Sequence, residues 1–185
     1  MKGLASRGRA ALVFCSTAAL MGGCDLSTKT WAQSVLSSRP GQSLTVVDPW
    51  VEFSLAYNRG TAFSLIPKLG AGTWVFALLA LVACAVLFMM AIRRPLPRPA
   101  MVVALAVVAG GAIGNGWDRA FRVTPAGDTA VIDFVRVNLT SSYSWPTFNL
   151  ADVWIVVGVA WFLWLGHRAA RSGPDAQAAP SPAGG

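Results

Sequence analysis

The sequence predicts an α-helical integral membrane protein built on four transmembrane helices. Composition is the first reason. Hydrophobic residues make up 55% of the 185 and charged residues only 12%, about half the charged share of a soluble domain. A mean hydropathy of +0.54 is more apolar side chain than a domain of this length can hide, so lipid is the expected solvent. The second reason is layout: four apolar stretches alternate with polar segments. The third is charge. The net charge of +7 comes from basic residues at the ends of the apolar runs, where anionic headgroups favour them. That distribution does not suggest a nucleic-acid partner, and none is expected.

The first element is the ambiguous one. Ala10 to Gly23 is an apolar run of about 14 residues behind Lys2, Arg7 and Arg9, a length that suits a signal-peptide core. "LMGGC" (Leu20–Cys24) also resembles a lipoprotein cleavage site with Cys24 as lipid acceptor. The run becomes a membrane span, about 10–30, only if the helix continues through Asp25 and Lys29 towards Trp31. Asp25 and Lys29 are four apart, so on a helix they share a face and can pair. Trp31 then falls where tryptophan favours the interface. On this reading Cys24 is a small packing residue.

The remaining spans are plainer. Ala71 to Ile92 is an uncharged run of about 22 residues, while about 100–118 and about 149–166 lie at the short end of the spanning range. An even number of spans puts both termini on one side. Lys2, Arg7, Arg9, Arg93, Arg94, Arg98, Arg168 and Arg171 then crowd short segments beside the span ends, which makes that side cytoplasmic. Outside lie a β-rich segment at about 42–66 and a loop at 119–147. Within the former, Val51, Phe53, Leu55 and Tyr57 alternate with Glu52, Ser54, Ala56 and Asn58, the period-two pattern of a half-buried strand, with a turn at Arg59-Gly60. One domain over residues 1–171 is expected, followed by a disordered cytoplasmic tail at 172–185 rich in Pro, Ala and Gly.

This topology gathers acids. Asp25, Asp118 and Asp152 fall at outer span ends and Asp133 in the outer loop, from a chain with eight acidic residues in all. Ionisable groups at membrane depth are costly and usually functional. Asn115 and Asp118 share a helical face, as do Asn149 and Asp152, and an amide orients a carboxylate without adding charge. Gly110, Gly111 and Gly114 read as sites of close helix packing. The only histidine, His167, lies at the cytoplasmic end, which excludes a Ser-His-Asp or Cys-His arrangement and a His-based zinc site. Three cysteines without ligand spacing exclude a disulfide framework. What remains is acid–base chemistry by two carboxylates sharing a proton, the aspartic-protease mechanism, which needs no metal or cofactor. Spacing alone leaves the choice between Asp118 and Asp133 open and leans to Asp118.

Five stretches, in order, then resemble one family: "DLSTK" (Asp25–Lys29), "NRGTAFS" (Asn58–Ser64), "GGAIGNGWDR" (Gly110–Arg119), "VIDF" (Val131–Phe134) and "FNLAD" (Phe148–Asp152). Together they are similar to the lipoprotein signal peptidases, or signal peptidase II, bacterial membrane aspartyl endopeptidases. The resemblance implies Asp133 and Asp152 as the catalytic pair. Asp25, Lys29, Asn58, Gly60, Asn115, Asp118, Arg119 and Asn149 are implied as supporting or substrate-binding residues. It also implies an outer-face β-cradle and a short outer helix; a protein of the bacterial inner membrane with its site near the periplasmic face, a monomer without cofactor, is expected. The implied substrate is a prolipoprotein whose cysteine carries diacylglycerol, cut just before that cysteine. Asp118, beside Arg119, is expected to be held ionised and so to be structural.

Two departures stand out. Thr61 replaces the family's usual alanine, and the loop containing "VTPAGDTA" is longer than usual and adds Asp128. Two other readings compete: a lipoprotein anchored at Cys24, and a small multi-span transporter. The first makes a lipid anchor redundant beside three remaining spans, and transporters place ionisable sites nearer the midplane.

Overall fold

The computed structural model describes residues 2–60, 74–93 and 98–171. Thr61 to Ser64 of the "NRGTAFS" motif, the start of the second apolar run at Ala71 and the tail from Ser172 lie outside the described residues. Among the described residues four helices are long and apolar enough to cross a membrane: α1 (Lys2–Leu36), α2 (Trp74–Ile92), α3 (Pro99–Phe121) and α4 (Leu150–Arg171). Three strands, β1 (Ser43–Val47), β2 (Val51–Asn58) and β3 (Val131–Val137), form an antiparallel sheet in the order β1-β2-β3. Among the described residues the one short helix is a 3₁₀ turn, Pro40–Gln42.

Helix α1 resolves the ambiguity over the first apolar run. It passes unbroken through Cys24, and its buried positions are Phe14, Ala18, Gly22, Asp25, Lys29, Ala32 and Leu36. Steps of three and four residues make one helical stripe, and Asp25 and Lys29 occupy core positions on it. Phe14 and Ala18 pack with Val102, Leu105 and Ala106 of α3 and Ala91 of α2. Cleavage after Gly23 would strip these from the bundle. Cys24 itself is exposed, off the buried stripe; the expectation of a packing residue is corrected. Nor does Asp25 close the helix. About eleven further residues carry α1 some 16 Å beyond it, where Ala32 and Leu36 join Leu55, Ile132 and Phe134 in a second core beneath the sheet. Trp31 lies on that extension, edge-on to the Phe53 ring at 5.4 Å.

Helix α3 is the hub, because its glycines open a close approach on each side. A Cβ on Gly110 would lie 2.4 Å from Met21 Cβ, and one on Gly114 would lie 2.1 Å from Asp25 Oδ2. Those two positions therefore seat α1. Gly111 meets the α4 backbone at Ala151, and Gly116 meets Ala80 of α2. The packing reading of these glycines holds, and here it also brings the polar face of α3 onto Asp25. At the other end of the bundle, the Arg7 guanidinium donates to the last carbonyl of α2, Ile92 O, at 3.1 Å.

The segment read as a loop at 119–147 contains β3. Its sequence "VIDFVRV" buries both faces over its first four residues, so it lacks the alternation that marks β2. Phe53, Leu55 and Tyr57 of β2 do face the second core as the period-two pattern requires. Beyond β3, Phe148 pairs with Val135: Phe148 N donates to Val135 O at 3.0 Å, and Phe134 N and Val135 N donate to Phe148 O. That short pairing delivers Asn149 and the start of α4 to the side of Asp133.

Candidate active site

Asp133 sits in β3 opposite Ala56 and is 3% exposed. Each of its oxygens receives an amide: Asn149 Nδ2 donates to Oδ1 at 2.6 Å, and Asn58 Nδ2 donates to Oδ2 at 2.9 Å. Burial pushes the Asp133 carboxyl up to about 6, helped by the Asp152 charge and opposed by the hydrogen bonds from Asn58 and Asn149. Asn58 ends β2, and its Oδ1 accepts Gly60 N at 2.8 Å. Gly60 has φ +89°, a backbone region glycine enters freely, and this fixes the turn that orients the Asn58 amide.

Asp152 lies in the first turn of α4. Its carboxyl and Asn149 exchange bonds, Asn149 N to Asp152 Oδ2 and Asp152 N to Asn149 Oδ1, both 3.1 Å. The geometry is a reciprocal N-terminal cap. Asn115 Nδ2 donates to the other oxygen, Oδ1, at 3.0 Å. Asn149 therefore touches both carboxyls, one through its side chain and one through its backbone. Asp152 is only partly buried, and it borders a crevice of about 270 Å³ whose other walls are Trp145, Phe148, Val153, Val156 and Val157.

Behind this pair lies a wholly buried ionic cluster. Lys29 Nζ is 2.7 Å from Asp25 Oδ2 and 3.1 Å from Asp118 Oδ2, all three side chains being inaccessible. It also donates to Asn115 Oδ1 at 2.7 Å. Asp25 Oδ1 accepts Ala151 N at 2.8 Å, tying α1 to the start of α4. Asp118 takes Arg122 Nε on its other oxygen at 2.6 Å and receives Ile132 N at 3.3 Å.

The expected pairing of Asp25 with Lys29 is present, and so is that of Asn149 with Asp152. Two details are corrected. Asn115 bonds across to Lys29, Asn149 and Asp152 rather than to Asp118 on its own helix. The cations on Asp118 are Lys29 and Arg122, whereas Arg119 reaches Asn115 O at 3.4 Å and stacks over the Phe76 ring. Arg122 was legible, since it stands four residues after Asp118; the apolar run ends at Trp117, so the sequence places it in a loop, while the helix runs on to Phe121. Asp128 stands apart from the cluster, exposed and bonded by Arg59. Among the described residues no group of three His, Cys, Asp or Glu side chains is placed to hold a metal ion.

The family model described as Signal peptidase (SPase) II matches residues 17–167. A lipoprotein signal peptidase of Pseudomonas putida is 38% identical over 136 residues, 72% of this chain and 74% of that protein. One from Pseudomonas paraeruginosa is 36% identical over 153 residues, 82% of this chain and 86% of that protein. A solved bacterial membrane enzyme structure superposes with a TM-score of 0.64 at 24% identity, covering 85% of this chain and 92% of that one. This last likeness bears on the fold.

Proposed function

The chain belongs to the signal peptidase II family, and we propose that Asp133 and Asp152 are its catalytic pair, removing signal peptides from diacylglyceryl-modified prolipoproteins. The observation that carries this reading is Asn149, which holds one carboxyl by its side chain and the other by its backbone. Asp118 has no such link. Both of its oxygens are held by cations, Lys29 and Arg122.

The two carboxyls divide the work by their surroundings. Asp133, buried and raised to about 6, carries the shared proton and donates it to the scissile carbonyl oxygen. Asp152, open to the crevice, takes a proton from the attacking water. The water oxygen then bonds to the carbonyl carbon, giving a gem-diol. On collapse the C–N bond breaks, the amine leaves with the proton from Asp152, and a diol proton returns to Asp133. Asn115, Asn149 and Asn58 keep both carboxyls in place without adding charge. The apolar walls of the crevice fit the hydrocarbon part of a lipidated substrate. On this reading both termini lie in the cytoplasm and the site near the periplasmic face of the inner membrane, an orientation that the basic span ends favour.

Purified protein in lipid should cut a diacylglyceryl-modified prolipoprotein between the residue before the lipidated cysteine and that cysteine, as read by product mass. Cleavage should be unaffected by chelators. Loss in chelator with recovery on adding zinc would overturn the mechanism, and cutting elsewhere would overturn the substrate assignment.

A further inference from the structure

We propose that Asp128 is a positioning residue for the reaction: its ion pair with Arg59 latches the end of β2 to α3 and so aims the Asn58 amide at Asp133. The inference rests on the reading of Asp133 as a catalytic carboxyl.

Residues 122–130 form a small hairpin standing on the C-terminus of α3. Val123 bridges to Thr129, Thr124 N donates to Asp128 O at 2.7 Å, and Thr129 Oγ1 donates to Arg119 O at 2.8 Å. Arg122, at its base, is fixed on Asp118. The hairpin is thus rigid with the helix that carries Asn115. From its tip, Asp128 takes both Arg59 Nε and Arg59 Nη2 in a two-pronged pair, and Thr124 Oγ1 donates to the same carboxyl. Two parallel N–H bonds fix direction as well as distance.

Arg59 is the middle residue of the turn that sets Asn58. On one side of it Asn58 Oδ1 accepts Gly60 N, and Nδ2 points to Asp133. Asn58 is the last residue of β2 paired with β3, opposite Val131. The sheet therefore holds the backbone up to Asn58, and the Arg59–Asp128 pair holds the turn beyond it. Among the described residues this pair is what ties the turn carrying Gly60 N to the hairpin on α3, so breaking it loosens the turn whose bond to Asn58 Oδ1 sets which way the amide faces. The other charged groups around Asp133 are Asp152 from α4, Lys29 from α1 and Arg119 from α3.

An exposed ion pair is weakened by solvent, so Asp128→Asn should lower kcat only modestly, by about fivefold. KM should stay within about twofold, because the Asn58 amide nitrogen is engaged on Asp133. Losing a donor to the ionised carboxyl favours its protonated form, so the basic limb of the kcat/KM–pH profile should move to higher pH. Arg59→Gln, which breaks the same pair from the other side, should reproduce both effects, and Asp128→Glu should restore both. In an Asn58→Ala background Asp128→Asn should do nothing further. Wild-type kcat and pH profile in Asp128→Asn, or an undiminished effect in the Asn58→Ala background, would overturn the latch. Full cleavage by Asp133→Asn would instead overturn the reading on which it rests.

Discussion

Lys29 shows what a single residue does in this site. A lysine in a membrane helix is expensive unless paired, and this one is held by Asp25, Asp118 and Asn115 at once. Because it donates to Asn115 Oδ1, the amide's Nδ2 faces Asp152, so the buried charge sets the polarity of a bond at the proposed catalytic carboxyl. Lys29→Met should leave two buried acids without their shared cation and lower stability by about 3–5 kcal/mol, read as a fall in thermal midpoint in detergent. Asp133 gives a pH signature. Its folded pKa of about 6 lies above the ordinary 3.8, so its contribution to stability is full below about pH 4 and is lost as pH rises through about 6. The loss approaches about 3 kcal/mol at neutral pH. Unfolding free energy compared between about pH 4 and pH 7.5 should fall more in the parent protein than in Asp133→Asn; parallel curves would contradict the burial argument. At this scale the sequence shows the acids and amides but not their partners. Residues three or four apart reveal Asp25–Lys29 and Asn149–Asp152, whereas Asn115–Asp152 and Asn58–Asp133 join different elements and leave no local spacing to read.

Among the elements, α3 and β3 mark the limits of pattern reading. The small residues of α3 are visible as a run, and their meaning follows from membrane packing, where close backbones replace the hydrophobic drive. Which glycine meets which neighbour depends on the bundle. Gly114→Ala should be among the worst tolerated changes, since its Cβ would stand on Asp25 Oδ2. An overpacking penalty of about 1–3 kcal/mol should appear as a lower thermal midpoint, while Gly23→Ala, with nothing within 4 Å of its Cβ, should be neutral. Equal effects would contradict the α1–α3 contact. Strand β3 is hidden for a different reason. Its first four residues are buried on both faces, so no alternation survives, and five apolar residues in seven read equally well as core of any kind. β2, whose large apolar residues alternate with polar or small ones, is legible from end to end.

For the whole molecule, composition settles the class and charge suggests the orientation. Four apolar stretches emerge as four helices, although α1 and α4 extend past their apolar runs, to Leu36 and Arg171, because polar residues continue a helix once it is begun. The proposed orientation puts the sheet and its loops outside. Ser142 is exposed in one of those loops, so Ser142→Cys should react with a membrane-impermeant thiol reagent on intact spheroplasts, and a label gained only after lysis would reverse the topology. The central claim is that Asp133 and Asp152, and not the more conspicuous Asp118, do the chemistry. Its most direct test is cleavage of a diacylglyceryl-modified prolipoprotein by Asp133→Asn, Asp152→Asn and Asp118→Asn, each first shown to be folded. The first two should lose activity by about a hundredfold or more, as expected for acid–base groups, while folded Asp118→Asn keeps a measurable rate. Retained cleavage by Asp133→Asn together with none by folded Asp118→Asn would contradict the assignment.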